Sequence, residues 1–202
     1  MDMQAVLPID PVAGAATEDR ARVADVLAGA PGAFEQLVRD HQGLCWHVIQ
    51  RMVRHPEDTR ELCQEAFLRV HRHLHQYRFD APLKSWIAQV AYSVARRHLE
   101  RRRITLAEAI DGDGLSLAEV VADGHDVEAA VADDQVHRRL HAAIEALPPL
   151  QRTLLTLYHL EELPIPEISR ITGIPEGTIK SHMFRSRRQL RAILEHDIGA
   201  TA

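Results

Sequence analysis

Cysteine, aromatic side chains and long apolar runs are all scarce in this chain, and each shortage removes a class of protein. The two cysteines, Cys45 and Cys63, lie far apart and outside any C-x-x-C spacing. That argues against a disulfide framework and against a zinc ribbon, and leaves reduced thiols in a cytoplasmic protein as the expectation. Aromatics make up only 4% of the residues, and no strong run alternates apolar with polar residues as a half-buried strand would. No stretch approaches the length needed to cross a bilayer, so membrane insertion is not expected. The first twenty residues, MDMQAVLPIDPVAGAATEDR, have no basic start and no long apolar centre, and do not read as a signal peptide.

Signatures of catalysis are missing as well. Thirteen histidines invite a metal reading, and His137 with His141, or His71, His73 and His75, come nearest to ligand spacing. Neither group carries the glutamate of an H-E-x-x-H helix. There is no glycine-rich phosphate loop and no nucleophile motif. No metal, cofactor or catalytic residue is therefore expected, and the chain is not expected to be an enzyme.

What is present is helical periodicity and an uneven charge. Phe34, Leu37, Val38, Cys45, Val48, Ile49 and Met52 recur at three- and four-residue spacing, as do Leu62, Ala66, Phe67, Val70 and Leu74. His55-Pro56 separates these two helices, because the residue before proline avoids the α region. After the loop QYRFDAPL a third helix is predicted from about Lys84 to Arg103, with Trp86, Ile87, Val90, Ala91, Val94 and Leu99 on its apolar side. The net charge of −5 conceals a segregation: Ile104–Gln135 holds nine acidic residues and no Lys or Arg, and outside it cations exceed acids by four. Three glycines and many aspartates make residues 104–133 read as a tether, with at most short turns near 115–121. Helicity resumes at about Asp134, stops at Pro148-Pro149, and continues over Leu150–Leu160. The predicted fold is all-α: two small helical domains, at 31–103 and 134–197, joined by a flexible acidic linker. Residues 1–30 read as a mobile extension with at most a short helix around Arg20–Ala28.

The last 40 residues are the most informative. In IPEISRITGIPEGTIKSHMFRSRRQL, Ile165, Ile168 and Ile171 give one short helix an apolar face. Gly173 supplies the turn, and Pro175 and Glu176 start a second helix held by Ile179, Met183 and Leu190. Its remaining faces are basic. This is the pattern of a helix-turn-helix whose second helix enters the major groove, against the plainer possibility of a hairpin with a solvated charged face. Candidates to read base edges are Glu176, Thr178, Lys180, Ser181, His182, Phe184 and Arg185; Arg187, Arg188 and Arg191 suit phosphates. A second pattern sits at 77–97, where Tyr77, Arg78, Phe79, Lys84 and Trp86 are followed by Gln89, Tyr92, Arg96 and Arg97. Interleaved aromatics and cations suit single-stranded nucleic acid, although Tyr77 and Trp86 taken alone are more often core anchors, and Trp86 is read as mainly core.

At this point the chain resembles a known family. DTRELCQEAFLRVHRHLHQYRFDAPLKSWIAQVAYSVARRHLERRR (58–103) is similar to region two of bacterial sigma factors. The segment 144–194 is similar to region four, and the short connection between them matches the extracytoplasmic-function group. The resemblance implies a subunit that binds core RNA polymerase, recognises a duplex −35 element with region four and melts the −10 element with region two. It implies that Glu61, Gln64, Glu65 and Arg69 face the polymerase, where an exposed polar helix face would otherwise be solvated. It also implies that Arg78, Phe79, Lys84, Ser85, Gln89, Tyr92, Arg96 and Arg97 meet the opened −10 strand. The −35 helix would be GTIKSHMFRSRRQL, with Arg188 among its contacts. An anti-sigma factor is implied as a further partner, and the acidic linker would run through the polymerase cleft unless it is a plain tether. The rival reading is a dimeric helix-turn-helix repressor or activator, with residues 33–103 as a sensing or dimerising domain.

Overall fold

The computed structural model describes residues 11–110 and 134–199. Among them are eight α-helices and no strand: α1 (Pro11–Leu27), α2 (Ala33–Val53), α3 (Pro56–His73), α4 (Leu83–Ile110), α5 (Asp134–Glu145), α6 (Pro149–Leu155), α7 (Ile165–Thr172) and α8 (Glu176–Gly199). A 3-10 turn follows α3 at Leu74–Gln76, and a π turn follows α6 at Thr156–Leu160.

In the N-terminal unit α2, α3 and α4 bury their apolar stripes against one another. Leu37, Cys45, Val48, Ile49, Ala66, Val70, Leu83, Ile87 and Ala91 are all fully or almost fully removed from solvent. The break between α2 and α3 falls where His55-Pro56 predicts it. Pro56 occupies the first turn of α3, and the His55 ring accepts a hydrogen bond from the Asp58 amide at 3.3 Å, which satisfies a donor the helix cannot use internally. Burial pushes the Cys45 thiol far up and the Cys63 thiol to about 11. Both are free and behave as small apolar core groups.

The C-terminal unit is built from α5 to α8. Ala143, Leu147, Leu154, Leu157, Ile168, Ile171, Ile179 and Met183 are buried, and the apolar side chains of the two units merge into one continuous core.

Three expectations are revised. Residues 11–27 form a long helix that docks on the N-terminal unit through buried Val23 and an Arg22–Asp40 ion pair at 3.2 Å. The weak periodicity of this segment underestimated it, because one buried valine and polar anchors hold it in place of a full apolar stripe. Helix α4 continues past Arg103 to Ile110, seven residues into the span read as linker; the sequence ITLAEAI consists largely of good helix formers and has no breaker. The helix predicted over 150–160 is α-helical only to Leu155, then widens so that the Glu161 amide bonds to the Thr156 carbonyl at 3.0 Å. A π turn leaves apolar spacing almost unchanged, so periodicity does not reveal it. The acidic expectations for 111–133 lie outside the described residues.

Candidate nucleic-acid and polymerase interfaces

Gly173 makes the turn between α7 and α8 with φ of +74°, a conformation that costs other residues strain. Its amide bonds to the Ser169 carbonyl at 2.8 Å, the Ser169 hydroxyl donates to the Ile174 carbonyl at 2.7 Å, and the Ile174 amide donates to the Thr172 hydroxyl at 3.3 Å. The turn is thus closed by hydrogen bonds and fixes the angle at which α8 leaves. Ile179 and Met183 face inward, as the spacing predicts. Buried Ser186 was not anticipated; its hydroxyl bonds to Gln151 and to the His182 carbonyl, both at 2.9 Å. The opposite face of α8 is open. Glu176, Thr178, Lys180, Ser181, Phe184, Arg185 and Arg188 are exposed and His182 is half-buried. Phe184 stands 66% exposed among these polar groups. Arg187 is held differently: it lies over the Tyr158 ring at 5.6 Å and beside the His159 ring nitrogen at 3.3 Å.

The second candidate surface is divided by the fold. Arg78 and Phe79 sit at the exposed tip of loop 77–82, where Phe79 takes φ of +60°. Tyr77 is buried beneath them, 4.5 Å from the Phe79 ring and 5.4 Å from the Trp86 ring, with its hydroxyl donating to the Ala81 carbonyl at 2.5 Å. Burial pushes that hydroxyl up to about 12, so it remains a donor. Arg96 and Arg97 are exposed further along α4, whereas Tyr92 is buried. Lys84, Ser85 and Gln89 meet the C-terminal unit. The Lys84 ammonium donates to the Glu161 carbonyl at 2.8 Å and lies 3.0 Å from its carboxylate. Ser85 hydrogen-bonds to the Glu167 carboxylate, and Gln89 donates to the Arg170 carbonyl at 3.3 Å.

That seam holds the residues the sequence reading missed. Glu161 is 8% exposed and also accepts from His47 Nδ1 at 2.8 Å. Arg152 is 2% exposed and donates to the carbonyls of Arg51 (3.0 Å), Glu145 (2.9 Å) and Leu147 (2.6 Å). Burial brings its pKa down to about 10, still charged near neutrality, with the Glu145 carboxylate opposing the shift. Glu145 in turn pairs with Arg51 and, at 3.2 Å, with Arg54. Nothing in local spacing distinguishes these charges from solvated ones.

On α3, Glu61 and Gln64 are exposed, and half-buried Glu65 is ion-paired with Arg69 one turn on. Beside them runs an apolar groove of about 740 Å3 between α2 and α3, lined by Phe34, Val38, Trp46, Cys63, Phe67 and Leu68. Trp46 and Leu68 are 36% and 56% exposed. Trp46 lies off the apolar stripe of α2 and Leu68 off that of α3, and these are the signs of the groove in the sequence.

Two family models match the chain, sigma-70 region 2 over residues 37–105 and sigma-70 region 4 over residues 137–190. The chain is an RNA polymerase sigma factor of the sigma-70 family, extracytoplasmic-function group. The sigma factor is 29% identical over 187 residues to the RNA polymerase sigma-H factor of Pseudomonas aeruginosa, covering 88% of this chain and 94% of that one. It is 26% identical over 174 residues to SigW of Bacillus subtilis, covering 84% and 93% respectively. In fold it is similar to CnrH solved with the cytosolic domain of CnrY (19% identity, 89% of this chain and 98% of that chain, TM-score 0.59). It is likewise similar to RpoE of Bartonella quintana solved with the anti-sigma factor NepR (20% identity, 81% and 98%, TM-score 0.62). Region 2 thus contains α2, α3 and most of α4, and region 4 contains the helix-turn-helix. The sigma factor catalyses no reaction; it directs RNA polymerase to promoters through these two regions. No helix among the described residues is long and apolar enough to cross a membrane.

Proposed function

We propose that this sigma factor reads a duplex −35 element with the exposed face of α8 and an opened −10 strand with loop 77–82 and the outer face of α4. Core polymerase docks on α3 around Glu61, Gln64, Glu65 and Arg69. The observation that carries this reading is the open face of α8, where Lys180, Arg185 and Arg188 flank a solvent-exposed Phe184. Such a face pairs guanidinium with guanine and a ring with a thymine methyl. The eight residues assigned to the −10 strand fall into groups. Arg78, Phe79, Arg96 and Arg97 are available as they stand, buried Tyr92 supports α4, Ser85 is covered by region 4, and the donors of part-exposed Lys84 and exposed Gln89 are engaged by it. Full engagement of the −10 strand by all of these residues therefore calls for the two regions to part. An anti-sigma factor that binds this protein would act on the same equilibrium, and the site of action is the cytoplasm, where polymerase is.

The test is run-off transcription by sigma-free core polymerase, with and without the protein, on a genomic promoter library. Protein-dependent transcripts that share two spaced elements support the reading. No stimulation, together with tight dimeric binding to palindromic duplex DNA, would replace it with a repressor or activator.

A further inference from the structure

Helix α4 starts without a cap of its own. Pro82 stands at the capping position, accepting from the Ser85 and Trp86 amides at 3.0 and 3.2 Å, and proline offers no side-chain acceptor for the free amides of the first turn. The missing acceptor comes from 64 residues away: Asp19 Oδ2 on α1 accepts from the Leu83 amide at 2.8 Å. A carboxylate there also faces the positive end of the helix dipole. The next residue acts on the same loop from outside. The Arg20 guanidinium lies 5.2 Å from the centre of the Phe79 ring, which also meets the Tyr77 ring. Phe79 is the one residue of loop 77–82 with a positive φ, so its position depends on what surrounds it. Helix α1 is itself anchored by buried Val23 and by the Arg22–Asp40 pair.

We infer that α1 is a working part of the opened-strand reader, with Asp19 and Arg20 as positioning residues. Asp19 sets where α4 begins, and so where Lys84, Ser85 and Gln89 project. Arg20 holds Phe79 at the loop tip and adds a cation beside the path of the strand. The family match begins at residue 37, after this helix. The inference rests on the −10 reading proposed above.

The test uses holoenzyme assembled from core polymerase and the full chain, on a promoter found by the run-off experiment. Opening is followed by permanganate reactivity of −10 thymines and expressed per assembled holoenzyme, with −35 occupancy footprinted in parallel. Asp19→Ala should slow opening about tenfold or more and leave −35 occupancy unchanged. Asp19→Asn, which keeps an acceptor for the Leu83 amide, should return opening to within about threefold of the parent. Arg20→Ala, at an exposed site, should slow opening about three- to tenfold, and it carries the test if Asp19→Ala fails to assemble. Parental opening by Asp19→Ala or by Arg20→Ala overturns the inference, as does an Asp19→Asn variant no better than Asp19→Ala. A purely structural role would lower holoenzyme yield and leave opening per holoenzyme at the parental rate. Failure of the parent protein to open any promoter would instead remove the −10 reading itself.

Discussion

Replacing Glu161 by glutamine should loosen the seam between regions 2 and 4 and improve binding of the opened strand. The carboxylate is 8% exposed and meets His47 at 2.8 Å and Lys84 at 3.0 Å. Removing one partner of a fully buried pair costs about 3–5 kcal/mol, and an exposed pair is worth about 0.2–1 kcal/mol. The His47 and Lys84 side chains are each 41% exposed, so water takes up part of what they lose. Glutamine also keeps the shape and one acceptor. An intermediate value of about 1–2 kcal/mol follows, or about a 5–30-fold shift from closed toward open.

On the proposed −10 reading, the open form frees buried Ser85 and the donors of Lys84 and Gln89 that region 4 engages, so apparent affinity rises with its population. While the open form is the minor one, the gain in affinity should be at most about 5–30-fold. A donor at position 72 on α3 and an acceptor at position 188 on α8, both exposed, would report the distance distribution. Bio-orthogonal attachment would avoid Cys63. Anisotropy of a labelled −10 oligonucleotide would report binding. A gain counts only together with a longer distance distribution, because removing a carboxylate beside Lys84 by itself favours an anionic strand. An unchanged distance distribution, or weaker binding by Glu161→Gln, would refute the argument that this carboxylate holds region 4 against α4.

Arg185→Ala should cost about 1–3 kcal/mol at an intact −35 element, the scale of a lost bidentate base contact, and should cost much less on a promoter with a scrambled −35 sequence; run-off yields on the two templates measure it. Gly173→Ala should destabilise the protein by about 1–2 kcal/mol, because φ is +74° while an added Cβ meets nothing within 4 Å. Gly173→Asn should cost less, and thermal melts of the three proteins decide. His41 is buried in α2, and burial, followed by the nearby Arg22, holds its pKa below 6.5. Below pH 6.5 the unfolded chain therefore takes up a proton that the folded chain refuses, and stability falls as pH drops through that value. Denaturant midpoints between pH 8 and pH 5 should show this loss, and His41→Gln should reduce it.

Much of this molecule is legible in its residues, for reasons tied to particular positions. The three buried stripes of α2, α3 and α4 follow from 3.6-residue periodicity. Pro56, Pro149 and Gly173 fix where the chain must turn, because each constrains the backbone whatever its neighbours are. Helix α1 and the seam were not legible, since both depend on polar side chains meeting partners far along the chain: Asp19 with the Leu83 amide, His47 with Glu161, Arg152 with the Arg51 carbonyl. A polar residue on the outer face of a helix reads the same in sequence whether it meets water, DNA or a second domain.

Lys84, Ser85 and Gln89 give that ambiguity a physical cause. Their chemistry suits the anionic oxygens of a nucleic-acid strand, and region 4 already offers them oxygen acceptors: the carboxylates of Glu161 and Glu167, and the neutral carbonyl of Arg170. On the proposed −10 reading, one set of donors serves two competing kinds of acceptor. A seam that was wholly apolar would hold region 4 without reference to DNA. A seam made partly from the strand's own contacts ties closure to the absence of the strand, so promoter opening and separation of the two regions become linked events. The residues that sequence reasoning assigns to DNA and the residues that close the molecule coincide because oxygen acceptors compete for the same donors.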